Sequence, residues 1–549
     1  MTILKQPGVE PPCRSACPAG VDVPRYVRLI GDGRFDEALA VIRERIPFPS
    51  ICGHVCFSPC EAKCHLNKMG GPLIIRALKR FAAKRDSGSW KESSKIADPT
   101  GRRVAVVGSG PAGLTTAYYL AKAGHSVTVF ETLSEPGGMM RVGIPSFRLP
   151  RDVLDAEIEV ITDAGVQIMT NTKINSLEDL EKEGYEAFFI ATGAHGHVAM
   201  GVEGEEDKGI IDCVSFLRDV CLGKDVEVGD RVAVVGGGNS AIDAARVALR
   251  LGAGEVTVVY RRTKDQMPAY ASEVEEALVE GIRMQFLAAP TRIKRINGAF
   301  EMECSQMTLA GMDAGGRPKP VPVEGSVFGI KLDTIITAVG QRPCVPDEFG
   351  LKMDSQNTVM VSPRTLATTR TGVFAGGDAV NGPASVIQAI AEGGKAASAI
   401  DRYLGGSGDI HEVLAQPETE IEPLDPWTPV GERAVIPSSP VIDRIKGFSE
   451  VELDLDEETA IRQAKRCLRC DQQIAVDPAK CCGCLICEMR CSLLYHNSFN
   501  PGEAFIKVRR VGRKETEYEQ TFTQDCQSCG ICVRYCPYGA LTREAKGDL

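Results

Sequence analysis

Cysteine is distributed through this chain in a way that few folds can accommodate. Of 21 cysteines in 549 residues, Cys13, Cys17, Cys52, Cys56, Cys60 and Cys64 lie near one end, and only Cys213, Cys221, Cys304 and Cys344 occupy the long middle. All the others fall between Cys467 and Cys536. Scattered buried thiols would not avoid the middle in this way. The opening Met-Thr-Ile-Leu-Lys-Gln-Pro-Gly lacks the charged-then-apolar layout of a signal peptide. No apolar run approaches the ~18 residues of a membrane helix. A cytoplasmic chain with no membrane partner is therefore expected, and in a reducing compartment clustered thiolates mean metal, as iron–sulfur or zinc. The formal charge of −10 argues against nucleic acid as a partner, because non-specific binding rests on neutralising phosphates.

The C-terminal set is the more regular. Cys481, Cys484, Cys487 and Cys491 read C-x2-C-x2-C-x3-C, and Cys526, Cys529, Cys532 and Cys536 repeat it before Pro537. A 4Fe–4S cube needs four thiolates converging on its corners. The tight C-x2-C-x2-C loop supplies three, and in two-cluster ferredoxins the fourth Cys of each run ligates the other cluster. The expected sets are Cys481, Cys484, Cys487 with Cys536, and Cys526, Cys529, Cys532 with Cys491. A zinc ribbon would use two C-x2-C pairs and leave four cysteines unexplained. Cys482 breaks the repeat and reads as a neighbour, not a ligand.

From about residue 101 to 405 strands alternate with helices, and two glycine-rich turns carry the chemistry. The apolar run from Val104 opens into Gly108-Ser-Gly110-Pro111-Ala112-Gly113, and a second strand from Ser126 ends at Glu131. Glycines let the backbone approach a pyrophosphate at a helix N-terminus, and an acid about 20 positions on bonds a ribose hydroxyl. The second copy has Gly236, Gly238, Asn239, Ser240 and Ala241 as G-x-G-x-x-A, but its second strand ends in Arg261-Arg262. Cations there suit a 2′-phosphate, so NADP(H) is expected over NAD(H); alternatively the arginines only solvate a strand end. Strand-to-glycine turns at Thr192-Gly193 and Gly340 return from each unit, and Gly377-Asp378 precedes a helix starting near Ser385.

The order, first unit, whole second unit, return to the first, resembles the flavoproteins with two dinucleotide-binding domains. That resemblance implies an α/β fold of nested Rossmann-like units. FAD would occupy the first site, with Gly138 among its binding residues, and the nicotinamide nucleotide the second. It also implies that Asp378 contacts the ribityl or phosphate region and that the helix near Ser385 points its positive end at the isoalloxazine. Many members pass electrons to a redox-active disulfide. Residues 101–405 hold no C-x2-C or C-x4-C pair, so disulfide reduction is not expected.

Cys13-x3-Cys17-Pro and the run from Ile51 through Cys52, Cys56 and Cys60 to Cys64, with Gly143-Ile-Pro and Tyr260-Arg-Arg, resemble the small subunit of NADPH-dependent glutamate synthase. The same module occurs in dihydropyrimidine dehydrogenase and in the electron-bifurcating ferredoxin:NADP transhydrogenase, and the likeness covers about residues 10–405. It implies a helical N-terminal domain with two 4Fe–4S clusters beside the FAD. One departure stands out: the family's R-C-x2-C half-motif is missing before Cys13, and six cysteines cannot fill two cubes. Arg466-Cys467-Leu-Arg-Cys470 supplies such a half-motif far downstream. Carried over, the family's pattern gives one set of Cys13, Cys64, Cys467 and Cys470 and another of Cys17, Cys52, Cys56 and Cys60. Alternatively Cys467 and Cys470 hold a separate metal or are merely buried.

The expected organisation is a helical Fe–S domain at 1–100, an FAD-binding domain at 101–230 and 341–405, and an NAD(P)H-binding domain inserted at 231–340. A Pro-rich, acidic linker at 406–475 returns Cys467 and Cys470 to the N-terminal clusters, and an α+β ferredoxin-like domain closes at 476–549. Such a chain is expected to exchange a hydride between NAD(P)H and FAD and relay single electrons through four 4Fe–4S clusters. No acid–base pair is required, since hydride transfer needs alignment more than proton abstraction. The tail resembles the ferredoxin-type subunits of aldehyde oxidoreductases and carbon monoxide dehydrogenases. The expected partner is a larger redox enzyme of that kind, or of hydrogenase or synthase type, or ferredoxin, in a hetero-oligomer. The basic run Lys507–Lys514 is a docking face or a solvated hairpin. A stand-alone or bifurcating NAD(P)H:ferredoxin oxidoreductase, and an Fe–S scaffold with vestigial nucleotide sites, are the alternatives.

Overall fold

Strands buried on both faces must be apolar along their whole length, because helices cover a parallel sheet above and below. Val104–Val107 and Val232–Val235 meet that demand. In the computed structural model, which describes residues 2–3, 10–313, 315–417, 430–511 and 517–544, each lies central in a five-stranded parallel sheet. The first sheet runs Val373–Ala375, Ala187–Ile190, Arg103–Val107, Ser126–Phe130, Gln167–Met169. The second runs Arg283–Phe286, Glu255–Tyr260, Arg231–Val235, Thr334–Thr337, Ile210–Asp212. The chain leaves the first sheet after Ile190, completes the second, and returns at Val373. This is the nesting that the motif order implies.

Three helices position the sites. Helix α1 (Pro111–Lys122) follows the first glycine turn, α2 (Asn239–Arg250) the second, and α3 (Val386–Tyr403) the return segment. Helices α1 and α3 pack so closely that a Cβ at Gly393 would fall 2.5 Å from the Ala112 carbonyl oxygen. The Thr116 hydroxyl donates to Gly393 O at 3.0 Å. An antiparallel sheet of Ala288–Ile296, Ala299–Met312 and Pro318–Leu332 covers one face of the second parallel sheet through Ile293, Phe300 and Met302.

Residues 96–410 and 437–453 form one compact unit; residues 1–95, 411–436 and 454–549 form another. The segment expected as a single linker is thus divided. Its 437–453 portion belongs with the nucleotide-binding sheets, where Val451 N–H donates to Phe147 O at 3.0 Å. Half of its prolines, Pro423, Pro426 and Pro429, lie outside the described residues.

The second unit begins with helices Val23–Gly31, Phe35–Arg43, Pro49–Val55 and Ile75–Ala83. Leu39 and Ile42, apolar at helical spacing, are fully buried. Helix Glu457–Ala464 packs on Val23–Gly31 at Gly31, where a Cβ would lie 3.5 Å from the Lys465 side chain. A small antiparallel sheet follows, Thr2–Ile3, Gln473–Val476 and Leu541–Glu544, with a hairpin of Ile506–Arg510 and Tyr518–Phe522. Of the basic run, Arg513 and Lys514 lie outside the described residues. Among the described residues no helix is long and apolar enough to cross a membrane.

Candidate functional site

The first cradle is shaped by three glycines with different duties. Gly108 has φ +106°, and a Cβ there would fall 2.4 Å from Ala191 O. At Gly113 a Cβ would collide with Gly108 O at 2.0 Å, so only glycine lets α1 start this close to the strand. Gly110 meets nothing within 4 Å. It caps the N-terminus of α1, where Pro111 at the first position sacrifices no needed N–H. A side chain at Gly110 would enter this open space. Glu131 is buried and braces this turn: Oε2 accepts from Ser109 N at 3.0 Å and Ser109 Oγ at 2.5 Å, and Oε1 accepts from Leu133 N at 2.8 Å.

Gly138 and Gly377, also expected here, approach the same turn. Gly138 (φ +52°) approaches so closely that its Cβ would lie 2.7 Å from Gly110 Cα. Gly377 (φ +67°) faces Ala112, with 3.0 Å to that Cβ, and its N–H donates to Glu392 Oε2 at 2.6 Å. Asp378 accepts from Ala384 N–H at 3.1 Å; burial, with a contribution from Glu392, pushes its carboxyl up to about 6. Ser385 caps α3 through Gln388 N–H at 3.3 Å. Gly193 takes φ +69° beside Thr192, whose Oγ1 is buried with no hydrogen-bond partner among the described residues. A buried orphan hydroxyl is costly unless something else meets it. Together with the open space at Gly110, it fits a bound dinucleotide.

The second cradle repeats the geometry. Gly236 has φ +152° and a Cβ there would lie 2.2 Å from Ala338 O; Gly238, the cap of α2, opens onto nothing within 4 Å. Asn239 Oδ1 accepts from Tyr270 N–H at 3.0 Å, the Cys213 thiol donates to Ser240 O at 3.3 Å, and Ala241 is fully buried where Gly113 stands in the first copy. Gly340 (φ +150°) accepts from Val198 N–H at 3.2 Å. The arginine pair divides. Arg262 is 2% exposed, its Nε donating to Pro318 O at 2.8 Å and its Nη2 pairing with Asp313 at 2.6 Å. Arg261 is exposed. The antiparallel sheet and its turn take Arg262, so of the two only Arg261 is exposed.

Sequence reasoning missed the ionic cluster behind α2. Arg148 binds Asp243 of α2 at 2.9 and 2.7 Å, and Glu280 takes hydrogen bonds from Arg246 and Arg250 of the same helix. Arg444, from the 437–453 segment, pairs with Glu276 at 2.6 Å and Glu280 at 3.2 Å. No local spacing announces partners this far apart.

The cysteines gather in the other unit. Burial pushes the Cys13 thiol far up, and the neighbouring Cys467, Cys470, Cys60 and Cys64 push it further. The chain thus brings Cys467 and Cys470 to Cys13 across more than 400 residues. Lys79, a buried cation, serves a second group: burial lowers its pKa, but Cys56, Cys52, Cys17 and Cys60 outweigh it. In the tail, burial raises Cys487 to about 12 with Cys484 and Cys536 adding to it. Burial also raises Cys491, beside Cys529 and Cys526, and Cys532, beside Cys529, Cys487 and Cys526. Burial raises Cys484 too, with Cys482 and Cys536 as neighbours; Cys481 is part-exposed. Among the described residues no three Cys, His, Asp or Glu side chains close tightly enough for a single metal ion. A cube, with iron and sulfide between its thiolates, spreads them wider.

Comparison with known proteins agrees with this geometry. Residues 102–393 match the pyridine nucleotide-disulphide oxidoreductase family, residues 8–89 the 4Fe–4S cluster domain II of dihydropyrimidine dehydrogenase, and residues 521–542 a 4Fe–4S binding domain. The chain is 41% identical over 503 residues to NADP(+)-dependent formate dehydrogenase subunit beta of Moorella thermoacetica, covering 85% of this chain and 71% of the relative. It is 39% identical over 509 residues to NADPH-Fe(3+) oxidoreductase subunit beta of Geobacter sulfurreducens, covering 84% and 75%. To the glutamate synthase [NADPH] small chain of Escherichia coli it is 32% identical over 420 residues, covering 72% and 89%. The chain therefore belongs to the pyridine nucleotide-disulphide oxidoreductases, among relatives that include the glutamate synthase small chain, and it carries 4Fe–4S domains at both ends of the nucleotide-binding region.

Proposed function

We propose that this chain is the NADP(H)-linked electron-transfer subunit of a larger cytoplasmic redox enzyme, holding FAD and four 4Fe–4S clusters. The observation that carries the reading is the convergence of Cys467 and Cys470 on Cys13 and Cys64, in a chain with two open nucleotide cradles at Gly110 and Gly238. Two relatives named as beta subunits, of a formate dehydrogenase and an Fe(3+) oxidoreductase, support a partner that holds the terminal substrate. The chemistry the cofactors would supply is the exchange of one hydride for two single electrons and a proton released to solvent.

The chain's own work is placement. The N-terminus of α1 directs its free N–H groups at the FAD pyrophosphate, the Thr192 hydroxyl gains the partner it lacks, and Asp378 meets the ribityl or phosphate region. The N-terminus of α2 does the same for NADP(H), whose 2′-phosphate falls to Arg261. Cys13, Cys64, Cys467 and Cys470 hold one cluster and Cys17, Cys52, Cys56 and Cys60 another. Cys481, Cys484, Cys487 and Cys536 hold the third, and Cys526, Cys529, Cys532 and Cys491 the fourth.

Anaerobically prepared protein is expected to contain about 16 iron per chain, four for each cluster, and a yellow chromophore that NADPH bleaches. Protein with no flavin and only traces of acid-labile sulfide would refute the assignment. Co-purification distinguishes aldehyde oxidoreductase-, carbon monoxide dehydrogenase-, hydrogenase- and synthase-type partners. Fast NADPH-driven reduction of free ferredoxin by the isolated chain would favour a stand-alone oxidoreductase instead.

A further inference from the structure

Where the ferredoxin-like tail meets the Cys467–Cys470 loop, one buried cation touches both. Arg543 lies on the strand Leu541–Glu544 and is 9% exposed. Its Nη1 donates to Gln472 O, and its Nη2 to Leu468 O at 3.1 Å and to Ser528 O at 2.8 Å. Leu468 stands between Cys467 and Cys470; Ser528 stands between Cys526 and Cys529. Each loop contains a left-handed residue, Arg469 at φ +52° and Ser528 at φ +50°. The guanidinium also lies against Gly530, where a Cβ would fall 2.1 Å from Nη2. At the same junction the Cys470 thiol is 3.5 Å from Cys529 O.

The charge of Arg543 needs explaining. A buried guanidinium without an anion is expensive, and among the described residues no carboxylate forms an ion pair with it. Its Nε is buried without a hydrogen-bond partner among the described residues. What surrounds the charge instead is the two cysteine loops, which it meets through the carbonyls of Leu468 and Ser528.

We propose that Arg543 is a positioning residue that staples the Cys467–Cys470 loop to the Cys526–Cys529 loop and lends its positive charge to the clusters on both. The proposal rests on the reading that each loop carries a cluster. A fixed cation favours the more negative, reduced state, since net charge and hydrogen bonding set cluster potentials. Three carbonyls from two loops also call for the planar fork of an arginine; a lysine ammonium is a point charge that cannot span them.

The test uses the full chain, prepared anaerobically, as wild type, Arg543→Met and Arg543→Lys. Iron and sulfide are assayed, and the clusters are titrated with a chemical reductant and followed by electron paramagnetic resonance. Arg543→Met is expected to keep its iron while at least two midpoint potentials fall and the magnetic interaction between adjacent reduced clusters weakens. Arg543→Lys is expected to keep potentials near wild type but to show the weakened interaction. Full iron in Arg543→Met with unchanged potentials and line shape would overturn the proposal. If Arg543→Met loses its iron, an Arg543→Lys line shape identical to wild type would overturn the staple. Wild-type protein without cluster iron would instead fail at the functional reading, before Arg543 is tested.

Discussion

Replacing Glu280 by alanine should destabilise the nucleotide-binding unit by about 3–5 kcal/mol, the usual cost of breaking a buried ion pair from one side. The Glu280 side chain is fully buried and accepts from Arg246 Nε and Nη2 at 3.0 and 2.7 Å and from Arg250 Nη1 and Nη2 at 2.7 and 3.0 Å. Arg444 Nε adds an ion pair at 3.2 Å. Arg246 and Arg250 also stack on Phe147, their guanidinium carbons 4.9 and 4.0 Å from the ring centroid. Removing the carboxylate leaves these guanidiniums buried with less anion to meet them. A second route gives a similar size. Burial alone would raise the Glu280 carboxyl, but Arg250 and Arg246 overcome it and hold it at about 2 against an ordinary 4.5. That gap is worth about 3 kcal/mol. Because the folded value is the lower one, the stabilisation is complete above about pH 4.5 and disappears as pH falls toward 2.

Urea unfolding of the flavin-loaded protein at pH 7, followed by flavin fluorescence and circular dichroism, reads this directly. With a slope of about 3 kcal/mol per molar urea, the loss lowers the midpoint by about 1 M. In the wild type the midpoint should also fall from pH 5 toward pH 3, and in Glu280→Ala that fall should be smaller, because the share contributed by this carboxylate is gone. A variant that unfolds at the wild-type midpoint would refute the reasoning, since it would mean the arginines need no anion.

Three other outcomes are expected. Gly110→Ala should lower flavin content while leaving NADPH binding intact, and Gly238→Ala should raise the KM for NADPH while leaving flavin in place; flavin absorbance and steady-state kinetics separate the two. Arg261→Ala should shift preference from NADPH toward NADH by tenfold or more, about 1.4 kcal/mol of lost phosphate contact. Arg262→Ala should leave that preference alone and lower thermal stability, having lost Asp313 and Pro318. The double variant Cys467→Ala/Cys470→Ala should drop from about 16 to about 12 iron per chain, and unchanged iron would place those thiols outside the clusters.

Much of the molecule was legible because its chemistry is local. A C-x2-C-x2-C loop presents three thiolates wherever it occurs, and a glycine turn between a strand and a helix makes its own cradle. Gly108, Gly110 and Gly113, their second copy, and the order of return strands therefore announced nested nucleotide folds flanked by cluster domains. Other features were decided in three dimensions. Arg262 looked equivalent to Arg261 until the antiparallel sheet captured it with Asp313. The 437–453 segment read as plain linker, yet it delivers Arg444 to Glu280. That Cys13 meets Cys467 and Cys470 followed from a missing half-motif only as a hypothesis, and Arg543 gave no signal at all. Spacing fixes what neighbours in sequence can do together, whereas a partner hundreds of residues away is chosen by packing, burial and charge once the chain has closed on itself.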